Sequence, residues 1–301
     1  MSWAPSPQAA ASGGVIRDAE GGRPGLPPGG RGAFGRQAPR VRSVSAVLSV
    51  AGAAVIWIAL LGPVITLLTH LSWGETLSAL TGPGNLDPLI VSLAAGGVTL
   101  AVLILVCTPL SWMLARGRLP LPRLWEAGLL CSLLLPPLVI GLLLVFMVGP
   151  YTPIGHVLGW LHQDATNTFL ALVIAAVYES APYYVLGAQA AFAGVDTQLE
   201  QQAGLLGDPP RRVFRRVTLP LAAPGLAMAL AVAWARAIGA FGAVVIIAYH
   251  PFGIPLQIFV TLQETGLASA LPFALVLLVV ALPLPMAAYV WSARADRRRR
   301  G

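Results

Sequence analysis

The chain has 301 residues, of which 56% are hydrophobic and only 10% charged, whereas a soluble domain carries roughly a quarter charged residues. The formal net charge is +7, and all 19 basic residues are arginine. Without a lysine there is no Walker A motif, so the chain is not itself a P-loop ATPase. The arginines flank apolar runs, as topology determinants do, and do not point to nucleic acid.

Residues 1–42 are rich in Gly, Pro, Ala and Arg and lack apolar periodicity. That composition predicts a disordered tail, either bland or touching anionic lipid. Its charged stretch and the full-length apolar run behind it do not fit a signal peptide. Six stretches then reach the roughly 20 apolar residues that a membrane helix needs. They fall at about 44–69, 89–115, 127–148, 168–192, 221–248 and 270–292. The expected architecture is all-α and polytopic: a first helix and outer loop over 43–86, a core over 87–292 and a basic tail over 293–301. Pro136 and Pro137 in the third stretch, and Pro283 and Pro285 in the sixth, are tolerable where neighbours satisfy the freed carbonyls.

The arginines alternate between connections. Arg17, Arg23, Arg31, Arg36, Arg40 and Arg42 precede the first stretch, and Arg116, Arg118 and Arg123 follow the second. Arg211, Arg212, Arg215 and Arg216 precede the fifth, and Arg294 and Arg297 to Arg300 follow the sixth. The connections over about 70–88, 149–167 and 249–269 hold none. The positive-inside rule therefore predicts both termini in the cytoplasm. Cys107 and Cys131 fall in apolar runs and read as core residues, and the four histidines are scattered singly. No metal site, cofactor site or catalytic set is expected.

The most polar internal segment is 196–220. Asp196 can cap a helix through Leu206, and Gly207 suits the left-handed residue that ends it. Asp208 then reads as the cap of a second helix with Pro209 at its first position. There Val213, Phe214 and Val217 share a face, with the arginines around the others. The expected product is a helix–turn–helix with an apolar tip at Leu205, Leu206 and Gly207.

This segment resembles the signature loop of ABC importer permeases, which reads E-A-A, three residues, G, nine residues, I, one residue, L-P. Gln201, Gln202 and Ala203 stand at the triplet, Gly207 at the glycine, and Val217, Leu219 and Pro220 at I-x-L-P. Gln201 and Gln202 depart from the pattern, and Glu200 is placed to take over the acidic role. The resemblance implies a type I ABC importer permease, with a five-helix core and one extra N-terminal helix, in a bacterial cell membrane. It also implies a homodimer, two copies of a separate cytoplasmic ATPase subunit docked on the loop, and an extracytoplasmic solute-binding protein.

Two charges lie deep in apolar stretches. Glu179 in the fourth and Arg236 in the fifth are both about 16–18 Å from the outer end, at 1.5 Å per residue. Matched depth predicts an ion pair. Arg236 then either lines a translocation path and attracts an anion, with Glu179 holding it, or the pair fixes helix packing. Gly239, Phe241 and Gly242 are further candidates for that path, and Gly239, Ala240, Gly242 and Ala243 also allow close helix approach. The run from Ala235 through Phe241 to Ala243, with Tyr249, Pro251, Pro255, Gly266-Leu267 and Ala270-Leu271-Pro272, resembles the molybdate, tungstate and sulfate permeases, most of all the molybdate/tungstate group. Ala240 replaces a glutamate usual there. Sulfate or another small solute is the alternative cargo. A secondary transporter, which would need inverted repeats, is the alternative class.

Overall fold

The computed structural model describes residues 41–71, 74, 76, 82, 86–160 and 166–300. The expected tail over 1–40, most of the first outer loop and His162 lie outside these residues. Among the described residues all regular structure is helical. The chain divides into two units, Met1–Ile58 and Ala59–Gly301. The first contributes the opening part of α1 (Val41–His70), an apolar helix interrupted only by Pro63.

In the second unit α2 runs over Asp87–Ala115, with Pro88 in its first turn, where a missing N–H does no harm. It stops before Gly117, whose φ is +60°. Next come α3 (Pro122–Leu134), α4 (Pro137–Val148) and α5 (Pro153–Trp160). They are followed by α6 (Phe169–Ala193) and α7 (Thr197–Leu205). The long α8 covers Pro210–Ile238. The short α9 (Val244–Ile247), then α10 (Ile254–Glu264), α11 (Leu267–Ala281) and α12 (Pro283–Arg300) complete the chain. Among the described residues five helical spans are long and apolar enough to cross a membrane, α11 and α12 together forming one of them, and the bent pair α3–α4 supplies a sixth candidate.

Prolines account for the irregularities. The third apolar stretch is not one helix: α3 and α4 meet at 116°. Leu135 and Pro136 are extended, with ψ of 134° and 136°, because a residue before proline is driven out of the α region. Two consecutive prolines thus break the stretch that the sequence reading kept whole. Elsewhere a single proline is absorbed. A π turn over Leu103–Cys107 lies two residues before Pro109, and another over Phe214–Thr218 lies two residues before Pro220. Proline cannot give the N–H that an α-helix supplies to the carbonyl four residues back, and the ladder widens locally instead of breaking. The fifth stretch also departs from expectation. It ends at Ile238, with irregular chain over 239–243 rather than helix to 248.

The core lies where α8 packs along α6, with α2 and α12 against its other sides. Small residues set that spacing. A Cβ built on Gly225 would lie 2.6 Å from the Ala191 Cβ, and one on Gly187 would lie 2.8 Å from the Ala229 Cβ. Ala188 of α6 and Ala229 and Ala233 of α8 are buried in one cluster along the same contact. Cys107 is buried as expected, but Cys131 is exposed on α3, because no described helix covers that face.

Gly225→Val forces α6 and α8 apart and costs about 1–3 kcal/mol, the usual range for overpacking. A lowered midpoint of thermal unfolding in detergent checks this; an unchanged midpoint contradicts the close crossing.

Candidate functional site

The polar segment folds into a tight turn between α7 and α8. Asp196 caps α7, its Oδ1 accepting from the Gln198 N–H at 2.8 Å. At the other end Asp208 N–H donates to the Ala203 carbonyl at 3.2 Å and Gly207 N–H to the Gly204 carbonyl at 3.0 Å. This is the paired closure of a Schellman motif, and Gly207 adopts its required positive φ, +89°. Leu205 and Leu206 are left 88% and 89% exposed at the tip. Gln201 and Gln202 are exposed beside them, and Ala203 is half-buried.

The start of α8 differs from the sequence reading by one residue. Pro209 is the cap and Pro210 the first helical residue. Asp208 instead places its Oδ1 3.0 Å from Arg212 Nη1. From Pro210 the helix continues through Leu219, half-buried, and Pro220, exposed, into the long apolar run. The expected helix–turn–helix with its apolar tip is present, its second helix running on into the apolar span.

Glu200 fixes the turn to the helices behind it. Its Oε1 accepts from Arg116 Nη2 and from Thr218 Oγ1, both at 2.6 Å. The side chains of Arg116 and Glu200 are only 8% and 16% exposed. Arg116 Nη2 also reaches the Val195 carbonyl at 3.4 Å. One carboxylate thus ties α7 to the end of α2, to the end of α6 and to α8. An aromatic cluster repeats the connection. Phe214 of α8 meets Trp112 of α2 edge-on at 5.4 Å and Phe192 of α6 at 6.1 Å. The Arg118 guanidinium covers Trp112 at 4.4 Å, within cation–π range. Sequence reasoning treated Arg116 only as a topology charge. Its partner is 84 residues away, and no local pattern marks the pair.

The second set lies midway along α6 and in the last turn of α8. Glu179, 4% exposed, has its Oε2 3.6 Å from Arg236 Nη2. Its Oε1 accepts the Ala243 N–H at 3.1 Å. The predicted pair therefore forms, and the carboxylate also satisfies an amide of the irregular chain after α8. The Arg236 side chain is 39% exposed and its guanidinium lies 5.0 Å over the Tyr183 ring. Gly239 ends α8 with its N–H on the Ala235 carbonyl. Phe241 packs on Phe259 at 5.2 Å. Gly242 lies against the α3–α4 break, where an added Cβ would come within 2.4 Å of the Pro137 Cβ. So Glu179 and Arg236 meet, while Phe241 and Gly242 face other partners. Among the described residues no group of His, Cys, Asp and Glu could hold a metal.

Broken and bent apolar helices around a charged pair, with a capped polar turn at the arginine-rich end, define a polytopic transport permease. Residues 107–301 match the family described as the binding-protein-dependent transport system inner membrane component, and the chain belongs to that family. It is 40% identical over 187 residues to a probable molybdenum ABC transporter permease protein of Haloferax volcanii, covering 61% of this chain and 68% of the relative. It is 30% identical over 233 residues to the molybdenum transport system permease protein ModB of Mycobacterium tuberculosis, covering 76% and 87%. Among solved structures, a bacterial alginate ABC transporter chain superposes with a TM-score of 0.64 over 85% of this chain and 96% of that one. At 16% identity this likeness speaks for the fold alone.

Glu200→Ala leaves Arg116 out of water without its carboxylate, a loss on the order of 3 kcal/mol for a buried pair. Hydrogen exchange over Thr197–Leu205 should accelerate markedly, and Thr218→Val should produce a smaller change. Unchanged protection in both variants contradicts the tie.

Proposed function

We propose that this permease carries a tetrahedral oxyanion, molybdate or tungstate, into the cell. The observation that carries the cargo is the likeness to permeases named for molybdenum transport. Arg236 supplies matching chemistry: a half-exposed guanidinium in the last turn of α8, beside a buried carboxylate. Such a charge in a membrane span normally faces a partner or an aqueous path. Glu179 holds the side chain in place and offsets part of its charge. The anion is thereby attracted without being trapped.

In this reading the chain has no reaction of its own to catalyse. It works as a homodimer with two copies of a separate ATPase, and a solute-binding protein delivers cargo on the opposite face. Both termini and the Asp196–Pro220 turn lie in the cytoplasm, on the arginine-rich side. Leu205, Leu206 and Gly207, with the exposed Gln201 and Gln202, form the surface that meets the ATPase. Closure of the ATPase dimer displaces the turn. Glu200, Leu219 and Pro220 pass the displacement to α8, and Gly239, Phe241 and Gly242 let the chain beyond Ile238 bend as the path opens.

Arg236→Ala should lower uptake by about tenfold or more, since a charge-assisted contact is worth roughly 1.5–3 kcal/mol, and Glu179→Gln should weaken it less. Uptake by cells carrying each variant, with tungstate and sulfate as competitors, checks both the path and the cargo. Normal uptake by both variants removes Arg236 from the path, and loss of sulfate uptake alone moves the cargo to sulfate. Gly207→Val strains a position held at positive φ and should abolish ATP-driven uptake while the protein still assembles. Retained substrate-stimulated ATPase activity contradicts the role given to the turn.

A further inference from the structure

We propose that the four arginines opening α8 form a second oxyanion site, for a phosphate headgroup or a free tetraoxoanion. It is separate from Arg236 and does not depend on the cargo. Arg211, Arg212, Arg215 and Arg216, with Pro209, line a concavity of about 560 Å³. At 3.6 residues per turn, positions four apart lie only about 40° apart, so the four arginines share one side of the helix. Arg211 and Arg215 then form one row and Arg212 and Arg216 the next. Val213 and Thr218, on the remaining faces, are buried.

The charge of this cluster is largely uncompensated. All four arginines are exposed. Among the described residues, Arg212 alone of the four has an acid partner, Asp208. Like charges four apart on a helix repel, so the arrangement favours a bound anion. Paired guanidinium forks suit tetrahedral oxyanions, because each can donate two parallel hydrogen bonds. Arg216 stands three residues before Leu219, where the apolar run begins. That is about 5 Å along the axis, at the level where lipid phosphates border the hydrocarbon. A free tetraoxoanion presents the same oxygens, so the two sources are separated by experiment.

The full-length chain is purified into nanodiscs of phosphatidylcholine alone or mixed with phosphatidylglycerol. Native mass spectrometry counts retained phosphatidylglycerol, and the phosphatidylcholine discs are titrated with tungstate and with inorganic phosphate. Arg215→Gln/Arg216→Gln should weaken one of these bindings by about tenfold or more, the loss of at least one charge-assisted contact. Arg215→Lys/Arg216→Lys, which keeps the charge, should lose less. Loss confined to phosphatidylglycerol assigns the site to lipid, and loss confined to tungstate or phosphate assigns it to the free anion. If the double glutamine variant does not assemble, the single variant Arg211→Gln repeats the comparison. Binding equal to wild type in a helical, assembled variant overturns the site, as does wild-type protein that neither prefers phosphatidylglycerol nor binds either anion.

Discussion

Glu200 accepts hydrogen bonds from Arg116 and Thr218 through a single oxygen, largely out of solvent. The organisation of the polar turn rests on this arrangement. A buried carboxylate without such partners would be costly, and a buried arginine equally so. Together they hold the end of α2, the α6–α7 junction and the start of α8 in one geometry. The Trp112–Phe214–Phe192 cluster adds apolar contact along the same junction. A force applied at the exposed Leu205–Leu206 tip therefore acts on helices, not on a flexible loop.

The same economy appears at the far end of α8. Glu179 serves two needs with two oxygens, one toward Arg236 and one on the Ala243 amide. The amide bond matters because α8 ends at Ile238, leaving backbone groups that membrane surroundings would not satisfy. α8 runs from the turn to Arg236, which pairs with the carboxylate on α6. In the proposed cycle that links the turn to the exposure of a positive charge along the path.

Much of this was legible in the sequence, for physical reasons that differ by residue. The Asp196 cap and the Gly207 turn are local, and their residue types allow few alternatives. The Glu179–Arg236 pair was readable because charges are rare in apolar spans and their depths matched. The Arg116–Glu200 tie was not, since it joins residues far apart in sequence. The Pro136–Pro137 break was read as tolerated because single prolines often are, as Pro109 and Pro220 demonstrate through their π turns. Asp208 was assigned a cap that the following Pro209 and Pro210 displaced by one residue. The gathering of the four arginines follows from their four-residue spacing, which puts each pair on one helix face.

The central claim is that the turn and α8 move as one rigid lever. It is tested most directly by spin labels at Leu206→Cys and Val232→Cys in a chain whose Cys107 and Cys131 are replaced. The labelled chain is diluted with unlabelled copies so that only the distance within one chain is read. The account predicts the same distance distribution in the resting and ATP-trapped transporter, within the roughly 1–2 Å of ordinary helix adjustment. A larger shift between the two states would mean that the turn flexes against α8, and the proposed transmission through Glu200 would be contradicted.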